Sequence, residues 1–306
     1  MRAAVLGHPI AHSLSPVLHR AAYAALGLDW RYDVVDVTAE DLPAFVAGLD
    51  AGWAGLSLTM PLKQAVLPLL DHVEPLAEVV GAVNTVLVQG SAPTTLVGAN
   101  TDVHGIAAAL TEGGVERGAE VAVVLGGGAT AASALAGLAH LGVTRSLVLV
   151  RSVARAAGTV RAAHRMGVDA TVRPFGPPER TAEILAGADV VVSTLPPGAA
   201  DAIAAGLDRP VRGVLLDCAY VPRPTPFAVA WRAAGGTAVL GERMLLHQAA
   251  EQVRLMTGRV APLAAMDAAL TATLDRPDAA APEDGHPGGP DPAFPGEPSR
   301  GGAEAR

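Results

Sequence analysis

Lysine is almost missing from this chain. Its 22 lysine and arginine residues are all arginine except Lys63. Arginine stays charged at any physiological pH, whereas a lysine ammonium can release and recover a proton, so the one position where lysine persists is a candidate acid/base. Asparagine is nearly as scarce. Asn84 and Asn100 are the only two, both a short way after Lys63, with Asp102 just beyond. Two depleted residue types gathered in one stretch mark a site. Cys218 stands alone, which excludes an intramolecular disulfide and suits a reducing compartment. No uninterrupted apolar run approaches the roughly 20 residues of a membrane span, and residues 1–13 lack the charged region, apolar run and cleavage site of a targeting segment. The expected localisation is cytoplasmic. A basic excess is also absent: a net charge of -8 and a pI near 5.6 offer nothing to nucleic acid or to a membrane surface. The expected partner is a small-molecule substrate, and the expected assembly a monomer or homodimer.

What is present is apolar residue, at 50% of 306 positions, enough for a large core and two domains. Short apolar runs at 3–6, 31–37, 55–58 and 83–88 read as strands, with helical patterns starting near Pro16, Asp41, Pro61 and Pro75. Ser15 followed by Pro16 is a helix start, because serine can cap free amides and proline is preorganised for the first turn. A second block opens at Glu120, and its further strands are expected at 146–150, 170–173, 190–193, 214–217 and 237–240. Strand and helix alternating at this spacing predict an α/β fold with a parallel, doubly wound sheet. Long helices over 242–257 and 262–274 are expected to return to the first block. Residues 276–306, with seven prolines and six glycines, read as a disordered tail.

Gly126-Gly127-Gly128-Ala129-Thr130-Ala131 follows an apolar strand and opens a helix. That context is what a dinucleotide fingerprint requires: a tight turn, close backbone approach to a pyrophosphate, and a helix N-terminus to hold it. The next strand ends Val150-Arg151-Ser152, with Arg155 one turn on and no carboxylate. An acid there would bond a free ribose hydroxyl, whereas arginine holds a 2′-phosphate. NADP is therefore the expected cofactor.

In the first block, four segments concentrate hydroxyls, amides, the lysine and one carboxylate: the stretch from Gly7 through Ser13-Leu14-Ser15-Pro16, Leu58-Thr59-Met60-Pro61-Leu62-Lys63, Gly81-Ala82-Val83-Asn84-Thr85, and Asn100-Thr101-Asp102-Val103-His104-Gly105. The set suits a polyhydroxylated, negatively charged small molecule. It does not suit a metal, since His8, His12, His19 and His72 lack partners at ligand spacing and read as structural or exposed.

With Gly241-Glu242-Arg243-Met244-Leu245-Leu246-His247-Gln248-Ala249 added, the chain resembles the shikimate dehydrogenase family over about residues 3–274. The resemblance implies an N-terminal α/β substrate domain over 1–104, completed by helices in 241–275, beside a Rossmann-type NADP domain over 105–240, with the active site in the cleft. It implies that Ser13 and Ser15 bond the shikimate carboxylate, and that Thr59, Asn84 and Gln248 bond the carboxylate or ring hydroxyls. Tyr220 would be a substrate-side tyrosine, and Lys63 with Asp102 the catalytic pair. Gly126, Gly127, Gly128, Ala129, Arg151, Ser152, Arg155, the Cys218 backbone and Gly241 would contact NADP, with Met244 near the nicotinamide. The implied reaction is the NADPH-dependent reversible reduction of 3-dehydroshikimate to shikimate, with Lys63 the proton donor. The chain departs from the family pattern at Ser57 and Arg20, where asparagine is usual, at Val150, and at Ala129 and Arg243, where glycine is frequent. Relatives that act on quinate or aminoshikimate are the neighbouring reading, and a non-enzymatic NADP(H)-binding sensor the distant one. Intact Lys63 and Asp102 argue against the sensor.

Overall fold

Apolar runs in the first block line up as one six-stranded sheet in this computed structural model, which describes residues 1–91, 93–116 and 119–276. Its strands are β1 (Arg2–Gly7), β2 (Arg31–Asp36), β3 (Trp53–Leu58), β4 (His72–Val73), β5 (Thr85–Gln89) and β6 (Thr95–Ala99), in the order β2-β1-β3-β5-β6-β4. β1 runs parallel to β2 and β3, but β5 is antiparallel to both β3 and β6. The first sheet is therefore mixed, which the reading of this block as an α/β unit left open. The reason is loop length: β5 and β6 are joined by a short turn through Gly90 at φ 82°, and a parallel pairing needs a crossover of a dozen or so residues. β4 and β6 escape a sequence reading, one being two residues long and the other interrupted by Gly98.

Helices α1 (Ser15–Ala25), α2 (Leu42–Ala47), α3 (Leu62–Ala65) and α4 (Pro75–Val80) surround this sheet. Ser15 does not cap α1 as expected. Leu14 already has helical dihedrals, so Ser15 lies inside the first turn, and its backbone N–H donates to Ser13 Oγ at 3.4 Å.

Helix α5 (Asp102–Glu112) leads from β6 toward the second sheet, so the expected boundary between residues 104 and 105 falls inside one continuous helix. The second sheet comprises β7 (Ala122–Leu125), β8 (Arg145–Val150), β9 (Asp169–Pro174), β10 (Val190–Ser193), β11 (Val214–Asp217) and β12 (Thr237–Leu240), ordered β12-β11-β10-β7-β8-β9 and wholly parallel. Helices α6 (Ala129–His140) and α7 (Ala157–Met166) join α5 over one face, and α8 (Pro178–Ala186), α9 (Asp201–Ala205) and α10 (Pro226–Ala233) cover the other. This is the doubly wound order, with its reversal between β7 and β10, where ligands of such sheets bind.

Helices α11 (Gly241–Thr257) and α12 (Leu263–Leu274) turn back to the first sheet. Their Leu246, Ala249, Val253, Met266 and Leu270 share a buried cluster with Ala3, Val5, Leu18 and Tyr23. The tail read over 276–306 lies outside the described residues from 277 onward.

Close approach of α5 and α11 depends on Gly105. A Cβ there would stand 2.7 Å from Met244 O and 2.8 Å from Gln248 Cβ. Two site-bearing helices can therefore touch backbone to backbone. Gly105→Ala is expected to force them apart and to destabilise the fold by about 1–3 kcal/mol, the usual range for overpacking, which a denaturant midpoint at constant slope would measure.

Candidate active site

Where the two sheets face each other, the ends of β1, β3 and β11 and the starts of α1, α5, α6 and α11 enclose a cavity of about 290 Å³. Ser13, Ser15, Thr59, Lys63, Asn84, Asp102, Tyr220 and Gln248 all line it. The structure thus brings together, from six separate segments, every residue that the resemblance placed at the substrate. Cys218, Gly241 and Met244 line it from the side of the second sheet, with Thr130 from the first turn of α6.

Backbone bonds set the geometry. Thr59 N–H donates to Leu6 O at 2.9 Å, which anchors the turn after β3, and Lys63 O accepts from Val83 N–H at 2.8 Å. The lysine is thereby fixed beside Asn84. Asp102 is the first residue of α5, where the positive end of the helix dipole favours a carboxylate. Lys63 Nζ donates to Asp102 Oδ2 at 2.5 Å, with the two side chains only 15% and 5% exposed. Asn84 completes the arrangement. Its Nδ2 donates to Asp102 Oδ1 at 2.8 Å, while its Oδ1 accepts from Thr101 N–H at 2.8 Å and from the Thr85 hydroxyl at 2.9 Å. Gln248 Oε1 lies 3.3 Å from the same Nδ2, and Gln248 Nε2 is tied to Leu245 O.

Asn100, scarce in the sequence and close to the others, does something different. It donates to Ala82 O at 2.9 Å and to Ser133 Oγ on α6 at 3.1 Å. It is a buried strut between the two halves, not a cavity residue. Among the histidines, His8 is exposed and bonds Asp36, His72 is exposed on β4, and His19 is fully buried. His12, read as structural or exposed, is exposed and lines the cavity. Sequence reasoning also missed Ser57 and Gln252, which line the cavity floor. The available signal was the spacing of Gln248 and Gln252, which sets two amides on one face of a helix. Burial pushes the Cys218 thiol far up, so it stays a neutral thiol rather than a nucleophile. Burial likewise raises the Tyr220 hydroxyl, keeping it a neutral donor.

The glycine turn lies outside this cavity, at the carboxyl end of β7. Gly126 has φ 112°, and a Cβ there would meet Thr194 Oγ1 after β10, at the reversal of strand order. Gly128 has nothing within 4 Å of where its Cβ would stand. Thr159 Oγ1 on α7 donates to Gly127 O at 2.9 Å and holds the turn. No side chain caps α6, so its first amides face that open space. Arg151 and Arg155 are exposed beyond the end of β8, with Ser152 between them, and neither arginine pairs with a carboxylate among the described residues. Of the departures from the family pattern, Arg243 pairs with Glu112 and Asp267, and Arg20 donates to Tyr32 O.

Residues 5–86 match the model of the shikimate dehydrogenase substrate binding domain, and residues 241–271 that of the shikimate 5'-dehydrogenase C-terminal domain. The shikimate dehydrogenase (NADP(+)) of Geobacter sp. (strain M21) is 40% identical over 282 residues, covering 89% of this chain and 95% of the relative. The chain belongs to the shikimate dehydrogenase family. The crystal structure of Mycobacterium tuberculosis shikimate dehydrogenase superposes with a TM-score of 0.79 at 43% identity, over 89% of this chain and 99% of that one. That of shikimate 5-dehydrogenase from Thermus thermophilus in complex with NADP(H) and shikimate gives 0.74 at 33% identity, again over 89% and 99%. Within this family frame, no helix of the described residues is long and apolar enough to cross a membrane.

The Asn84 amide is the joint of the cluster. Asn84→Ala would leave the buried Thr101 N–H and Asp102 Oδ1 without their partner, at about 1–3 kcal/mol for an unsatisfied group. Chemical denaturation of the purified variant is expected to show a midpoint lowered to match.

Proposed function

We propose that this chain is an NADP-dependent shikimate dehydrogenase that interconverts 3-dehydroshikimate and shikimate. The observation that carries the reading is the Lys63–Asp102 pair, buried at one wall of a cavity whose remaining polar lining is mainly hydroxyl and amide, with the His12 imidazole. Ser13 and Ser15 offer two hydroxyls for the substrate carboxylate at the start of α1, and Thr59, Asn84, Tyr220 and Gln248 offer donors and acceptors for the ring hydroxyls. The lining holds one ammonium and one carboxylate, already committed to each other, so it recognises a small polar ring by hydrogen bonds.

The residues of the second sheet fit a phosphorylated dinucleotide. Gly126, Gly127, Gly128 and Ala129 would hold the pyrophosphate against the free amides of α6, and Arg151, Ser152 and Arg155 the 2′-phosphate. The Cys218 backbone, Gly241 and Met244 would flank the nicotinamide on the cavity side. Bound NADPH supplies the hydride that reduces the ring carbonyl. The chain's own residues do the rest. Lys63 stabilises the oxygen that gains charge and donates the proton to it, and Asp102 keeps the ammonium aimed there. In the reverse direction Lys63 takes that proton back. Lone Cys218 suits a cytoplasmic setting for this reaction.

Absorbance at the reduced-nicotinamide band, with shikimate or quinate crossed against NADP and NAD, tests the reading; no turnover of shikimate with either cofactor would sink it, and a preference for quinate would replace it. Lys63→Arg is expected to fold normally and lower kcat by about 10²–10⁴-fold, the usual worth of general acid/base help, because the charge remains and the proton step is lost. Turnover near wild type would remove Lys63 from the role. Replacing Arg151 and Arg155 together by alanine is expected to raise KM for NADP by about tenfold or more while leaving KM for NAD unchanged, as loss of charge-assisted phosphate bonds requires.

A further inference from the structure

Below the cavity, Gln252 sits one turn past Gln248 on α11 and is 1% exposed. A primary amide has two N–H donors and one oxygen with two lone pairs. All four are used within the protein. Gln252 Oε1 accepts from Ser57 Oγ at 2.8 Å and from His19 Nε2 at 3.1 Å, while Nε2 donates to Asn84 O at 3.1 Å and to Thr85 Oγ1 at 3.0 Å. The side chain borders the cavity with no hydrogen-bonding capacity left for a ligand.

The directions of these bonds are fixed one after another. Tyr32 donates its hydroxyl proton to Ser57 Oγ at 2.6 Å, so the Ser57 proton goes on to Gln252 Oε1. His19 is held neutral, its pKa brought down to about 4 by burial. The Asn84 carbonyl can only accept, so Gln252 Nε2 must face it; Oε1 then meets the Ser57 hydroxyl and the His19 Nε2–H, leaving His19 Nδ1 toward the Tyr23 hydroxyl at 3.4 Å. Because Thr85 Oγ1 accepts from Gln252, the Thr85 proton goes to Asn84 Oδ1, where Thr101 N–H also donates. Asn84 Nδ2 is then the end that must face Asp102 Oδ1. Reversed, the Asn84 amide would set a carbonyl oxygen against a carboxylate.

We propose that Gln252 is a positioning residue for the acid/base pair: anchored by Ser57 and His19, it holds the Asn84–Thr85 segment in place and, through Asn84, the carboxylate that holds Lys63. The proposal rests on the reaction assigned above. Gln252 touches neither Lys63 nor Asp102, and its effect passes through the Asn84–Thr85 segment.

The test uses Gln252→Met, which keeps length and removes every bond, and Gln252→Glu, which keeps an acceptor for Ser57 and His19 but as a carboxylate cannot donate to Asn84 and Thr85. Steady-state rates across pH, calorimetric shikimate affinity and thermal midpoints are measured on the full chain. Both variants are expected to lose about tenfold to a hundredfold in kcat, the range for misplaced catalytic groups. They should also shift the pH profile of kcat, with shikimate affinity falling by less than kcat does. Ser57→Ala should lose less in the same direction, and added to Gln252→Met should lower kcat no further, because both act on one chain of bonds. Unchanged kcat and pH profile in folded Gln252 variants would overturn the proposal. So would a loss confined to shikimate affinity, which would make Gln252 a substrate ligand, or a loss confined to the thermal midpoint. If the Gln252 variants do not fold, Ser57→Ala decides by the same readouts. An inactive wild type overturns the assigned reaction, whereas an active wild type with indifferent variants overturns only the role of Gln252.

Discussion

An ammonium and a carboxylate withdrawn from water hold together only when the groups around them replace the lost hydration. Desolvating two charges costs several kcal/mol each, and their mutual attraction offsets this only if further hydrogen bonds satisfy them. Lys63 and Asp102 meet that condition because one carboxylate oxygen faces Lys63 and the other Asn84, at the positive end of α5. Much else in the fold follows from keeping that environment intact.

The first requirement is close packing. Asp102 opens α5 and Gln248 sits on α11, and the cavity exists only because these helices approach as nearly as Gly105 allows. Helix α11 leaves the last strand of the second sheet and buries its apolar face against the first, so one helix closes the site and joins the two halves. The second requirement is direction. Asn84 and Gln252 present a donor on one side and an acceptor on the other, and the backbone N–H of Thr101 and the backbone carbonyl of Asn84 settle which is which. A wholly apolar floor would pack as well, yet would leave the orientation of Asp102 to chance.

Lys63 with Asp102, the glycine turn and the arginines after β8 stood out as candidates because each lies in a compact local pattern: an unusual residue, a turn flanked by strand and helix, a strand end without an acid. The parallel, doubly wound character of the second sheet followed from regular alternation. Less could be read where a residue's role depends on partners remote in sequence. Asn100 resembled Asn84 in rarity and place, yet Ser133 and Ala82 make it a strut. Ser57 stood out only as a departure from the family pattern, and its partners, Tyr32 and Gln252 on either side of its hydroxyl, lie far off in the chain. The reversal of β5 was hidden for a related reason, since a short β6 broken by glycine does not announce the hairpin that imposes it.

By itself, then, the sequence determined the chemistry available: a single lysine, a carboxylate and amides nearby, and a glycine turn opening a helix, because residue type and local spacing are properties of the chain. Tertiary structure alone decided which of those groups meet and which way their dipoles point. The bond from Gln252 to Asn84 spans 168 positions, and no local pattern encodes a contact that exists only once α11 has folded back across the first sheet.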